Sequence, residues 1–226
     1  MRRKLGTVLA AGASLVIGAA LHAGGWGIVT VRDLPEYAVA GTPLPLTFLV
    51  RAHGVEPHDG LQPPVAASSE TSSGTLTVNV RAVPTGNPGE YSAVLVLPDP
   101  GLWTIRIGDG TFYDSTLHRV AAIAPGSPAP PPLSPPALGE RLFVAKGCIG
   151  CHVNRELHGN PGDVFRTFGF GSEAPDLTGR RFADAYLKSL LADPTATRGP
   201  DTVMPDLGLT SAEIAALTAF INRARP

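Results

Sequence analysis

Cysteine is almost missing from this chain of 226 residues: there are two, Cys148 and Cys151. The first 147 residues have none, so no disulfide can staple any fold they form. Methionine is as scarce, with Met1 and Met204 alone. Aromatic residues make up 6%. No block of one charge sign appears beyond Arg2, Arg3 and Lys4, and the formal net charge is -1. A basic footprint for a phosphate backbone is therefore lacking, which argues against nucleic acid as a partner. Glycine (26) and proline (23) are abundant instead, and proline is concentrated in one place.

The N-terminus reads "MRRKLGTVLAAGASLVIGAALHAGGWG". A basic start precedes an uncharged stretch from Leu5 to Leu21. That is the pattern of a secretory signal, whose apolar segment enters the membrane while the positive end stays cytoplasmic. The run is long for a cleaved signal and short for a comfortable span. Ala20 and Ala23 are possible ends, without a clean A-x-A site. We read residues 1–23 as a signal peptide or N-terminal membrane anchor. The rest is then expected outside the cytoplasm, in the periplasm or on the outer face of the membrane. The membrane is contacted only through that anchor.

Residues 125–136, "PGSPAPPPLSPP", divide the remainder. Proline lacks an amide donor and fixes its own φ, so this run favours extended polyproline II, a semi-rigid spacer. Before it, residues 24–124 read as β. "LTFLVRA" (46–52) puts Leu46, Phe48 and Val50 on one face, and "TLTVNVRA" (75–82) alternates cleanly. "YSAVLVL" (91–97) and "LWTIRI" (102–107) follow, with weaker strands at 27–33 and 116–123. Turn signals lie at "PTGNPG" (84–89), "PDPG" (98–101) and "GDG" (108–110). Such period-two alternation predicts an antiparallel sandwich of the immunoglobulin-like kind. "NPGEYSA" (87–93) looks like its tyrosine-corner segment, with Tyr91 as the corner. The stretches 46–65 and 89–109 resemble the YtkA-like and FixH-like extracytoplasmic β-domains, a likeness that implies a fold more than a function.

After the linker, residues 137–226 turn helical. Pro135 suits the first turn of a helix carrying Leu138, Leu142, Phe143 and Ala145. A second helix is expected over about 180–192, stopped by Pro194. A third opens on a capping box, Thr210 with Glu213, and buries Ile214, Leu217, Phe220 and Ile221. Three short helices make a small core, so the domain needs something large and apolar to fold around.

That something bears on "CIGCH", residues 148–152. A redox dithiol would follow a strand and open a helix, whereas this pair follows a helix. Zinc would need four ligands, and adjacent Cys151 and His152 suit a tetrahedral shell poorly. The third reading is covalent haem attachment, for which C-x-x-C-H is the signature. Two thiols three residues apart reach two vinyl groups on one edge of a porphyrin, and His152 then lies under the iron. A low-spin haem takes Met or His on its other side. Met204, in the Pro/Gly-bounded loop "DTVMPDLG", lies on no periodic apolar stripe and is the candidate; His158 is the rival.

With those residues placed, 137–225 resembles the class I, monohaem c-type cytochromes. "GERLFVAKGCIGCH" is similar to that family's first helix and haem motif, "APDLTGR" to its proline-bearing loop, and "MPDLGLTSAEIAALTAFI" to its sixth-ligand loop and last helix. The resemblance implies that Gly139 and Phe143 pack on Leu217 and Phe220. It also implies that the Pro175 carbonyl accepts the Nδ1–H of His152. The long loop 153–173 departs from the pattern; its Phe165, Phe168 and Phe170 are candidates to shield a haem edge. Arg180 and Arg181 are candidates to meet the propionates.

The expectation is thus one haem c, its iron held by His152 and Met204, carrying single electrons in an extracytoplasmic respiratory chain without being an enzyme. Its partners would be redox proteins, above all membrane respiratory complexes. The alternative is a haem subunit of a larger membrane oxidoreductase, or a copper-handling protein using His53 and His58 of the β-domain. Residues 24–124 carry five Lys/Arg against nine Asp/Glu and residues 137–226 ten of each, which identifies no partner.

Overall fold

The computed structural model describes residues 27–108, 114–117, 119–157 and 174–223. The leader (1–23), His158 and the three phenylalanines of the long loop lie outside the described residues.

Two sheets face each other in the first half. One runs β1 (Gly27–Val31), β3 (Pro43–Ala52), β8 (Glu90–Val96), β7 (Val83–Pro84), with short β4 (Glu56–Pro57) beside β3. The other runs β2 (Tyr37–Val39), β11 (Val120–Ile123), β9 (Gly101–Gly108), β5 (Pro64–Thr71), β6 (Gly74–Arg81), with β10 (Asp114–Thr116) on β9. The β2–β11 pair is parallel, and the other pairs described are antiparallel. Alternation explains which side chains meet between the sheets. Leu46, Phe48 and Val50 of β3 and Trp103, Ile105 and Ile107 of β9 are all buried in one apolar cluster. Burying a side chain of this size contributes about 2 kcal/mol. The buried indole donates to the Asp99 carbonyl at 3.0 Å, so its one polar atom is satisfied.

Three local expectations change. Strand β5, "PVAASSET", carries small and polar residues and gives no apolar run, yet it pairs along its whole length with β6 and also with β9. Its side chains at Val65, Ala67 and Ser69 are buried by neighbours on both flanks. Tyr91 is not a corner closing a few residues upstream. It lies in β8 and its hydroxyl donates to the His58 carbonyl at 2.6 Å, 33 residues away, while accepting from Leu61 N–H at 3.1 Å. It therefore ties down the 53–61 loop.

The third change is helical. After α1 (Pro135–Ala145), the second helix, α2, runs Asp184–Ala192, starting four residues later than its apolar pattern suggested. Pro194 does not merely end it: Asp193 caps the Ala196 N–H at 2.8 Å and Pro194 opens α3 (Pro194–Arg198), where a missing N–H costs nothing. The last helix, α4 (Ser211–Ile221), begins with the capping box of Thr210 and Glu213.

Helix α4 crosses α1 very closely. A Cβ on Gly139 would lie 2.0 Å from the Ala216 carbonyl oxygen, so only glycine fits. The Phe143 and Phe220 rings meet at 5.5 Å nearby, and Leu142 and Leu217 are buried with them.

Residues 127–134 form a connection without helix or strand, exposed except at half-buried Pro130, but the halves it joins are in contact. Arg141 donates to the Pro35 and Glu36 carbonyls at 2.9 and 3.3 Å. Ala145 belongs to the β-domain's apolar cluster, and Leu34 packs against both cores. All five residues of β1 are buried, because its outer face is covered by the helical half.

Candidate haem-attachment site

Helix α1 is stopped by Gly147, whose φ of 79° is the left-handed conformation that glycine adopts without a side-chain penalty. The chain then makes one tight turn, Cys148–Gly150. The His152 and Cys151 N–H groups both bond the Cys148 carbonyl, at 2.8 and 3.1 Å. Both thiols and the imidazole are thus carried by a single turn. That turn lies on β1: a Cβ at Gly147 would meet Ile28 Cγ2 at 2.5 Å and the Val29 carbonyl oxygen at 2.7 Å, and one at Gly150 would meet Ile28 Cδ1 at 2.7 Å.

The segment after the motif holds the loop that faces it. Leu177 N–H donates to the Val153 carbonyl at 2.8 Å, and Arg155 N–H to Thr178 Oγ1 at 3.0 Å. An Asp176 carboxylate oxygen accepts from Thr178 N–H at 2.8 Å; a hydrogen bond from the Thr178 side chain first, and this backbone bond second, hold Asp176 below the usual carboxylate range. These bonds place the Pro175 carbonyl oxygen 3.0 Å from His152 Nδ1. A carbonyl can only accept, so Nδ1 bears the proton and Nε2 keeps its lone pair for a metal. Desolvation lowers the His152 pKa, partly offset by that bond, which favours the neutral ring. Desolvation also pushes the Cys148 thiol up to about 12 and raises Cys151.

Met204 is half-buried on its loop, its N–H directed at Thr202 Oγ1 at 3.4 Å. It packs against the apolar cluster of Leu142, Phe143, Leu177, Leu187 and Leu217, as do Cys148 and Ile149. Arg180 and Arg181 are both exposed; Arg180 donates its backbone N–H to Leu177 and adds to the field on Asp176.

Side chains beyond the motif brace these segments. Arg223 forks between Glu140 of α1 at 2.7 Å and Glu156 at 3.6 Å, its guanidinium 4.6 Å above the Phe220 ring. Asn222 donates to the Phe182 carbonyl at 2.9 Å and to Asp184 at 2.8 Å, and accepts from Phe182 N–H at 2.9 Å.

The donor set fits a covalently attached haem. Two thiols three positions apart stand beside an imidazole with one nitrogen already satisfied, and a thioether borders the same apolar cluster from another loop. His53 and His58 are different. His53 is exposed with φ 52°, His58 is half-buried, and no group of three or more potential metal ligands exists among the described residues.

Sequence reasoning missed the residues that seat the motif on the β-domain: Ile28, Thr30, Arg51, Lys146, Gly147 and Gly150. One signal was available. "GIVTV" shows no polar alternation after Gly27 except Thr30, as a strand covered on both faces does.

Residues 136–225 match the family model described as Cytochrome c. This supports a c-type cytochrome domain over that stretch, and with it haem c, iron and haem-based electron transfer. No curated protein matches the chain. Similar solved structures include trypsin-activated alpha-2-macroglobulin from Escherichia coli, at 16% identity and TM-score 0.35 over 43% of this chain and 7% of that one. They also include a superoxide reductase (neelaredoxin) from Ignicoccus hospitalis, at 13% and 0.30 over 47% of this chain and 88% of that one. The chain thus spans a small part of the first and most of the second, and at these scores neither bears on fold or function. No helix among the described residues is long and apolar enough to cross a membrane.

Proposed function

We propose that the protein is an extracytoplasmic one-electron carrier with a single haem c, bound through Cys148 and Cys151 and ligated by His152 and Met204. The observation that carries this reading is the fixed imidazole: His152 follows the cysteine pair on one turn and presents Nε2 because Nδ1 is held by Pro175. When bound, the haem supplies a reversible Fe(III)/Fe(II) couple. The chain's own residues do the rest. Cys148 and Cys151 anchor the group against loss in an exported protein. Pro175 fixes the tautomer and raises the basicity of His152. Met204 would supply the second iron ligand, and a thioether in that role raises the potential relative to a second histidine. Leu142, Phe143, Leu177 and Leu217 exclude water. Arg180 is the candidate nearest the motif's facing loop for a propionate.

Export by residues 1–23 and exchange with membrane respiratory partners complete the proposal. The β-domain is read as immunoglobulin-like, a reading supported by the strand order β1–β3–β8–β7 opposite β11–β9–β5–β6, which follows the A–B–E–D and G–F–C–C′ arrangement. The test is the mass and reduced optical spectrum of periplasmically matured protein. A chain one haem heavier, with a c-type spectrum that disappears in Cys148→Ala/Cys151→Ala, is expected. A haem-free mature chain would overturn the reading.

A further inference from the structure

The haem motif is seated on the β-domain through buried polar groups as well as through Ile28. Arg51, on the outer face of β3, is 8% exposed and donates from Nη1 to Thr30 Oγ1 at 2.8 Å. The Thr30 hydroxyl donates in turn to the Lys146 carbonyl at 3.3 Å, two residues before Cys148. Lys146 itself is buried, its ammonium 2.7 Å from Glu213 of α4 and 2.7 Å from the Arg32 carbonyl. On the other side of the turn, the Cβ position of Gly54 is 3.6 Å from Cys151 Sγ, so the 53–54 loop abuts one attachment sulfur.

Among the described residues no carboxylate lies in ion-pair range of Arg51. The attractive charge that it feels is Asp206, two residues past Met204, and Arg32 opposes it. A guanidinium stays charged in such a setting. Positive charge buried beside the turn that would carry the iron favours the state with one more electron, because screening by water is weak there.

We propose that the β-domain is a wall of the haem site and that Arg51 is a positioning residue: through Thr30 it holds the attachment turn on β1, and its charge raises the reduction potential. This rests on the haem reading above. It replaces the expectation of two domains held apart by a semi-rigid spacer. A merely tethered domain would not require glycine at 147 and 150 to approach β1.

The test uses the full-length, haem-loaded protein with Arg51→Gln and Arg51→Lys. Gln keeps a hydrogen bond to Thr30 without the charge, and Lys keeps the charge. Redox titration followed optically should show a lower midpoint in Arg51→Gln, by a several-fold change in the one-electron equilibrium, where tenfold is about 59 mV. Arg51→Lys should recover most of it. Amide hydrogen exchange over 146–151 should be unchanged in Arg51→Gln, which keeps the bond to Thr30, and faster in Thr30→Val, which removes the link to the Lys146 carbonyl. A potential equal to wild type in folded, haem-bearing Arg51→Gln, or an equal drop in both variants, overturns the proposal. If Arg51→Gln gives no soluble protein, Thr30→Val serves: faster exchange over 146–151 supports the seat, and unchanged exchange overturns it. A wild type without covalent haem sinks the functional reading instead.

Discussion

Replacing Gly139 by alanine pits two effects of opposite sign. Helix propensity alone favours alanine by about 1 kcal/mol. Packing opposes it. The new Cβ would sit 2.0 Å from the Ala216 carbonyl oxygen, 2.6 Å from its carbon and 2.6 Å from Phe220 Cβ. An ordinary contact starts at 3.4 Å, and two of these atoms are backbone that cannot rotate away. Helices α1 and α4 must separate. A radial gap of about 0.5–1 Å forfeits a quarter to a half of each contact's attraction. Leu142, Phe143, Leu217 and Phe220, all buried at this crossing, each contribute about 2 kcal/mol. Losing that share, net of propensity, leaves a cost of about 1–3 kcal/mol. For a domain of this size that is a fall in Tm of about 5–20 °C. Thermal unfolding of the full chain, followed by helical ellipticity, measures it. A Gly139→Ala protein as stable as wild type, or more so, would refute the close crossing.

Three further outcomes follow from the same geometry. Gly147→Ala combines a left-handed φ with a clash on the Val29 carbonyl and should cost about 2–4 kcal/mol in urea unfolding. Gly126→Ala, with φ 80° and nothing within 4 Å, should cost only the conformational part, about 1 kcal/mol. Lys146→Met leaves Glu213 and the Arg32 carbonyl without their buried cation and should cost about 2–3 kcal/mol; a double-mutant cycle with Glu213→Gln should return a coupling of at least about 1 kcal/mol. Glu90 accepts from Asn87 at 2.6 Å, Thr85 at 2.7 Å and Arg32 at 3.3 Å, bonds that lower its pKa. A depressed carboxylate contributes stability above its unfolded pKa, about 4.3, and that contribution is lost as pH falls through the lower folded value. Glu90→Gln should therefore be less stable than wild type at neutral pH and should lose less stability on acidification below about pH 4.3, measured by urea midpoints across pH.

Much of the fold can be read along the chain because single periods decide it. The faces of β3 and β9, the capping box at Thr210 and the proline break all follow from local chemistry. Strand β5 escapes that reading because Ala, Ser and Glu become strand residues only between the neighbours that pair with them. The site divides the same way. The cysteine pair and His152 are a local motif, and Met204 stands out by scarcity. The seat on β1 is a contact between residues more than 100 apart, and its cause, two glycines facing Ile28, has no local period to reveal it. The proline run accurately marks where composition changes, yet it does not report that the two halves touch.

The central claim is a His152/Met204-ligated haem c that exchanges single electrons. The most direct measurement is an optical redox titration of the haem-loaded full chain, with the Met204→Ala variant beside it. A one-electron Nernst curve, a Met–iron charge-transfer band in the oxidised wild type and loss of that band in the variant are predicted. A wild type that lacks the band and binds carbon monoxide readily would contradict the account.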